Sequence, residues 1–298
     1  MGSILAGLFS FQYWQAPTFI LVGTAVFLFI KGRRYLAQTG YQLERYRQPA
    51  FFAGMGLVLL ILGSPVHHLA TQMFSVHVAQ HILLMALIPC LINLSNPLPI
   101  LWAALPGGLQ TAVKQQFFRP NLASLRAGLH QVTNPGSAFV LATVTFWIWY
   151  DPKIHQLTRQ YRWVHSLETT LLLFVALLYW WHILGSSPQI HRRMPPVVRI
   201  LYTVMGTWPI KVVGLILLFS SQNLYQYPDA YQFSGLNIND QGVGAILVWA
   251  LGGVVFSSTA TILARDWLHH EEMKPINPAP AWQNDYEMRA PGFPSPRP

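Results

Sequence analysis

Met-Phe-Ser-Val-His-Val-Ala-Gln-His-Ile-Leu-Leu-Met, residues 73–85, lies within a stretch, 48–113, that contains no Asp, Glu, Lys or Arg. Met73, His77, His81 and Met85 recur every fourth residue, so on a helix they form one stripe that drifts by about 40° per step. A helix of this length without charge is a membrane span, and imidazoles on one face of it have no counter-charge on their own element. Imidazole beside thioether is the donor pattern of a soft or borderline metal. Such a ring can also simply hydrogen-bond to a neighbouring helix.

Working outward, charge-free runs recur along the whole chain of 298 residues, which is 52% hydrophobic and 10% charged, against about 25% charged in soluble domains. Seven runs approach the ~20 residues that cross a bilayer: 16–31, 50–66, 73–95, 136–151, 163–184, 199–220 and 240–263. The fold class expected is an all-α polytopic transmembrane bundle, residues 1–273. A Pro-rich tail, 274–298, is too poor in apolar surface to fold alone. Residues 106–119 suggest a helix lying along the interface.

The net charge of +9 does not indicate nucleic acid, because the basic residues sit in alternate connectors. Lys31, Arg33, Arg34, Arg45 and Arg47 follow the first run, Lys114, Arg119 and Arg126 the third, Arg192, Arg193 and Arg199 the fifth, and Arg265 and Lys274 the seventh. That alternation places the N-terminus outside and the C-terminus in the cytoplasm of a bacterial cytoplasmic (inner) membrane, with the lipid bilayer as surroundings. One outside connector departs from it, carrying Lys153, Arg159 and Arg162. Residues 1–16 lack a clear signal-peptide pattern. The single cysteine, Cys90, excludes an intrachain disulfide and any CxxC site.

On this topology three runs that point the same way each bring polar residues to the outer leaflet: His77 and His81, then His165 with Glu168, then Asp240 with Gln241. His155 lies in the adjoining connector. The candidate metal ligands are therefore His77, His81, His165, His155 and Met73. Glu168 or Asp240 is expected to orient an imidazole through its second nitrogen, with Gln241 as a further structural polar group. Lys211, the one charge deep in a run, is expected to pair with Glu168, because an unpaired ammonium at that depth is costly. Trp208-Pro209 should kink the sixth helix.

Several segments, taken in order, resemble the CtaG family of seven-span assembly factors for caa-type cytochrome c oxidase. They are Ser75–Met85 with Pro89; Trp149-Tyr150-Asp151-Pro152, Val164–Glu168 and Tyr179-Trp180-Trp181; and Asp240–Gly244 with Trp249 and Gly252-Gly253. Tyr150, Thr169 and Val248 depart from residues that many members carry, namely two histidines and a methionine. The resemblance implies a non-enzymatic role in maturing a haem-copper oxidase, with oxidase subunits as partners and copper as the cargo. Cu(I) held by imidazoles from two helices would pass to an oxidase subunit by ligand exchange. Other readings are a b-haem oxidoreductase with His81 and His165 as axial ligands, a metal-free structural chaperone, and a copper channel.

Overall fold

The computed structural model describes residues 14–227, 232–233 and 238–274. The tail 274–298 thus lies almost wholly outside the described residues. Apart from a two-residue antiparallel ladder, Gln232-Phe233 with Ile238-Asn239, the described chain is helical.

Helices stand at all seven expected ranges. They are α1 (Ala16–Gln38), α2 (Arg47–Gly63), α4 (Phe74–Ser95), α8 (Pro135–Trp149), α10 (Arg162–Leu184), α11 (Pro196–Phe219) and α12 (Asp240–Glu272). Five of them are long and apolar enough to cross a membrane, while α2 and α8 are apolar but shorter. Between them lie α3 (Val66–Leu69), α5 (Pro97–Ala103), α6 (Gly107–Phe117), α7 (Ala123–Val132) and α9 (Pro152–Gln160). Neither α6 nor α7 buries a residue, and Leu109, Val113, Phe117, Leu125 and Leu129 stand exposed along them. Large apolar side chains are also exposed around the bundle, among them Ile20, Phe27, Phe174, Phe219 and Ile262. Water does not tolerate apolar exposure on that scale in a monomer, so the chain is a membrane protein.

Boundaries follow from local chemistry. Asn134 caps α8, its Oδ1 accepting from Ser137 N at 2.9 Å; Asp151 caps α9 through Lys153 N at 2.9 Å; Asn239 caps α12 through Gly242 N at 2.8 Å. These are the side chains that satisfy the orphan donors of a first turn. Gly185, at φ +64°, ends α10 in the left-handed conformation that glycine adopts without cost. The sixth helix breaks at Gly206, between Met205 and Thr207. Pro209, four residues after Met205, cannot donate to its carbonyl.

Two apolar cores hold the bundle. The larger joins α4, α8, α10, α11 and α12 around Trp180, Leu172, Phe146 and Val248; the smaller joins α1, α2, α5 and the other side of α4 around Phe29, Phe51 and Ile88. Phe29 and Phe51 stack at 3.9 Å between centroids. Cys90 packs at the edge of the larger core.

These seven helices alternate in direction. Gln15 N donates to Gly63 O at 3.0 Å, and Asp240 accepts from Phe74 N at 2.6 Å, so the starts of α1, α4 and α12 share one end with the finish of α2. Tyr225, just after α11, donates through its hydroxyl to Tyr150 O at the finish of α8, 2.6 Å away. This is the cluster end, where α4 and α10 carry His77, His81, His165 and Glu168.

Candidate metal centre

α4 brings His77 and His81 inward one turn apart, their ring centroids 4.4 Å from each other. Opposite them, α10 presents Glu168 with His165 one turn earlier. His77 and His81 are each 1% exposed, His165 3% and Glu168 0%. His77 Nε2 lies 3.4 Å from one Glu168 oxygen and His81 Nε2 3.4 Å from the other; His165 Nε2 is 3.9 Å from the first. One donor atom from each of His77, His81 and Glu168 falls within 4.8 Å of the other two.

None of these contacts is a hydrogen bond. The Nε2 atoms of His77, His81 and His165 and both Glu168 oxygens are buried without a hydrogen-bond partner. For His77 the reason is clear. Its Nδ1 donates to Ala70 O at 3.2 Å, so in the neutral ring the nitrogen facing Glu168 carries a bare lone pair. Lone pairs of an imidazole and a carboxylate attract only with a cation or proton between them. Bonds of about 2.0–2.1 Å to a tetrahedral metal place neighbouring ligand atoms about 3.3 Å apart. The two 3.4 Å separations match such an edge.

The supports come from three other elements. Asp240 was expected to orient an imidazole; instead its carboxylate caps α4 from α12, accepting from Phe74 N at 2.6 Å and Ser75 N at 3.2 Å. A carboxylate is favoured there by the helix dipole as well as by the orphan N–H groups. Gly244, one turn along α12, permits the approach: a Cβ there would meet Phe74 Cδ1 at 2.6 Å. Gln241 holds the loop before α12, accepting from Leu224 N at 2.7 Å and donating to Gln222 O at 3.1 Å. That loop delivers Tyr225, stacked on Phe74 at 4.5 Å, and Tyr227.

His155 is buried on α9, its ring 4.5 Å from that of His77. Both of its nitrogens are engaged, Nδ1 donating to Trp149 O at 3.3 Å and Nε2 accepting from the Tyr227 hydroxyl at 2.6 Å. Burial, reinforced by the neighbouring His77, holds its pKa well below the usual histidine value. Met73 precedes α4 in extended backbone, and Met85 faces the larger core, its carbonyl accepting from Trp180 Nε1 at 2.9 Å. Pro89 cannot donate to that carbonyl, and α4 passes through a π-helical turn, Leu83–Leu87, just below His81.

Lys211 does not reach Glu168. Its ammonium donates to Trp249 O and sits 4.9 Å from the centroid of the Trp249 ring, a cation–π contact that accommodates the charge locally. The close ionisable neighbours of Glu168 are the three histidines, and the carboxylate stands between His81 and His165.

Two residues that the sequence did not single out join the site. His67, in the short connector before α4, stacks on His165 with ring centroids 4.4 Å apart. Its Nδ1 accepts from Gln80 Nε2 at 3.0 Å, while the same amide donates to Ile61 O at 2.8 Å. Burial pushes the His67 pKa down to about 4. Gln80 had one available signal, being a polar residue between the two histidines of a membrane-spanning stretch; His67, beside His68 in a connector where solvated residues are ordinary, had none.

The chain is similar to uncharacterized proteins of Mycobacterium bovis and Mycobacterium tuberculosis, 26% identical over 228 residues, which is 74% of this chain and 34% of each relative. An uncharacterized protein of Mycobacterium leprae is 25% identical over 272 residues, 88% of this chain and 40% of its own length. The chain thus spans about a third of the length of these curated relatives. No solved structure matches it. Residues 27–270 match the profile of the cytochrome c oxidase caa3 assembly factor (Caa3_CtaG) family, and the chain belongs to that family.

Proposed function

We propose that this protein is a seven-span assembly factor of the bacterial cytoplasmic membrane that binds copper and passes it to a haem-copper oxidase subunit. The observation that carries the reading is the convergence of unpartnered lone pairs from His77, His81, His165 and Glu168 in a buried site. Among first-row divalent metals, nitrogen and oxygen sites bind copper most tightly.

The topology proposed puts the cluster end outside. The helices alternate in direction, and most basic residues gather at the opposite end. From there the ion leaves by ligand exchange, which needs an open coordination position: His77, His81 and Glu168 form the compact set of three donors, and His165, 3.9 Å from the same carboxylate, stands where ligands can exchange. The role is delivery rather than catalysis.

The test is metal analysis of detergent-purified protein loaded separately with Cu(II) and Cu(I), together with oxidase assembly in cells. Stoichiometric copper in the wild type, lost in the His77→Ala, His81→Ala double variant along with active oxidase, supports the reading. Normal oxidase in cells expressing the double variant at wild-type level overturns it and favours a metal-free structural chaperone.

A further inference from the structure

The connector formed by α9 is the one whose charge the metal reading leaves unexplained. On the topology proposed above it faces outward, yet it carries Lys153, Arg159 and, at the start of α10, Arg162. Among the described residues none of the three forms an ion pair. The acid that precedes them, Asp151, is engaged in capping α9.

These cations border a cavity. Residues of α9, including Lys153, His155, Gln156 and Arg159, and the Leu224–Gln226 loop line a cavity of about 530 Å³ that opens to the surface, and among the described residues no carboxylate lines it. Arg159 is fixed rather than free: its guanidinium lies 4.4 Å from the centroid of the Tyr227 ring. Its Nε is buried without a hydrogen-bond partner. A guanidinium seated over an aromatic face keeps N–H groups free to receive an oxyanion. The volume falls in the range of small-ligand sites, ~300–1,000 Å³. The floor is His155, whose other side meets His77.

We propose that this vestibule is an anion-binding site that takes a small ligand bearing a carboxylate or phosphate group on Arg159 and Lys153, directly above the histidine–glutamate cluster. An anion seated there accepts from the terminal N–H groups of Arg159 and neutralises charge at the mouth of a site built for a cation. The same chemistry is available from a free small anion or from an anionic lipid headgroup.

The experiment uses the full chain in phosphatidylcholine nanodiscs after EDTA treatment, titrated calorimetrically with citrate and with inorganic phosphate. Saturable binding of either anion is expected, weakened about tenfold or more in Arg159→Gln and in Lys153→Gln. Lys153 is exposed, so its variant keeps the test valid if Arg159→Gln misfolds. Lys114→Gln, at the opposite end of the bundle, serves as a control that should bind normally. Repeating the titration in discs containing phosphatidylglycerol separates the sources: unchanged binding identifies a free anion, and competition identifies a headgroup. Absence of saturable binding together with absence of a lipid effect overturns the proposal, as does binding that both variants leave unchanged. Because the protein is metal-free throughout, the result is independent of the copper reading.

Discussion

With Ala70 O accepting from Nδ1, a neutral His77 ring faces Glu168 lone pair against lone pair. A buried carboxylate without a partner costs several kcal/mol, so in the metal-free protein Glu168 is a source of instability that a cation relieves. Glu168→Gln keeps the shape and removes the charge. The variant should bind copper at least tenfold more weakly, in line with the loss of a charged ligand, as read by competition with a chelator. It should also unfold, without metal, at a temperature no lower than the wild type, and copper should raise the melting temperature of the wild type alone. A metal-free Glu168→Gln protein that melts well below the wild type would show that the carboxylate is satisfied by the histidines alone. His155 gives the complementary case. With both nitrogens engaged by Trp149 and Tyr227, it is a wall of the site, so His155→Phe should retain the wild-type copper content in elemental analysis. His165→Ala, by contrast, should lower it.

At the scale of elements, the cluster depends on where α4 begins. Asp240 reaches from α12 to the first two N–H groups of α4, and Gly244 lets Phe74 lie against the same helix. Asp240→Ala leaves two buried donors unpaired and should destabilise the bundle by about 1–3 kcal/mol, seen as a lower melting temperature in detergent. Asp240→Asn, which can still accept one bond, should lose less. Equal losses in the two variants would mean that the cap contributes only through its charge. The helices themselves were legible in the sequence, because a charge-free run of ~20 residues has few alternatives to a span. The stripe of His77 and His81 was legible for the same reason, as a period within one helix. What a period cannot give is the neighbour. Glu168 was read as a partner for Lys211 because both are lone charges in apolar helices, yet α10 turns it toward α4 while Lys211 finds a carbonyl and a ring on α12. Asp240 was read as a partner for an imidazole, although a carboxylate at the end of a bundle serves a helix N-terminus equally well. His67 had no pattern at all, because connectors carry no period.

At the scale of the whole molecule, the placement of charge and the placement of polar side chains make one argument. The end where α1, α4, α10 and α12 begin holds the buried cluster and the cavity at α9; the other end holds Lys114, Arg119, Arg126, Arg192 and Arg193. Basic residues are retained on the cytoplasmic side during insertion, which supports the proposed topology with the cluster end outside. The exception at α9 is what makes the assignment worth testing directly. With Cys90, the single cysteine, replaced by alanine, Gln156→Cys on α9 and Gln116→Cys on α6 are both exposed and both outside the apolar runs. In intact cells from which any outer membrane has been stripped, a membrane-impermeant maleimide should label the α9 cysteine at once. The α6 cysteine should react only after permeabilisation. The reverse pattern would place the buried histidines next to the cytoplasm. The cluster would then be a site that loads copper from the cell interior, and the cationic vestibule would open toward the cytosolic pool of anions.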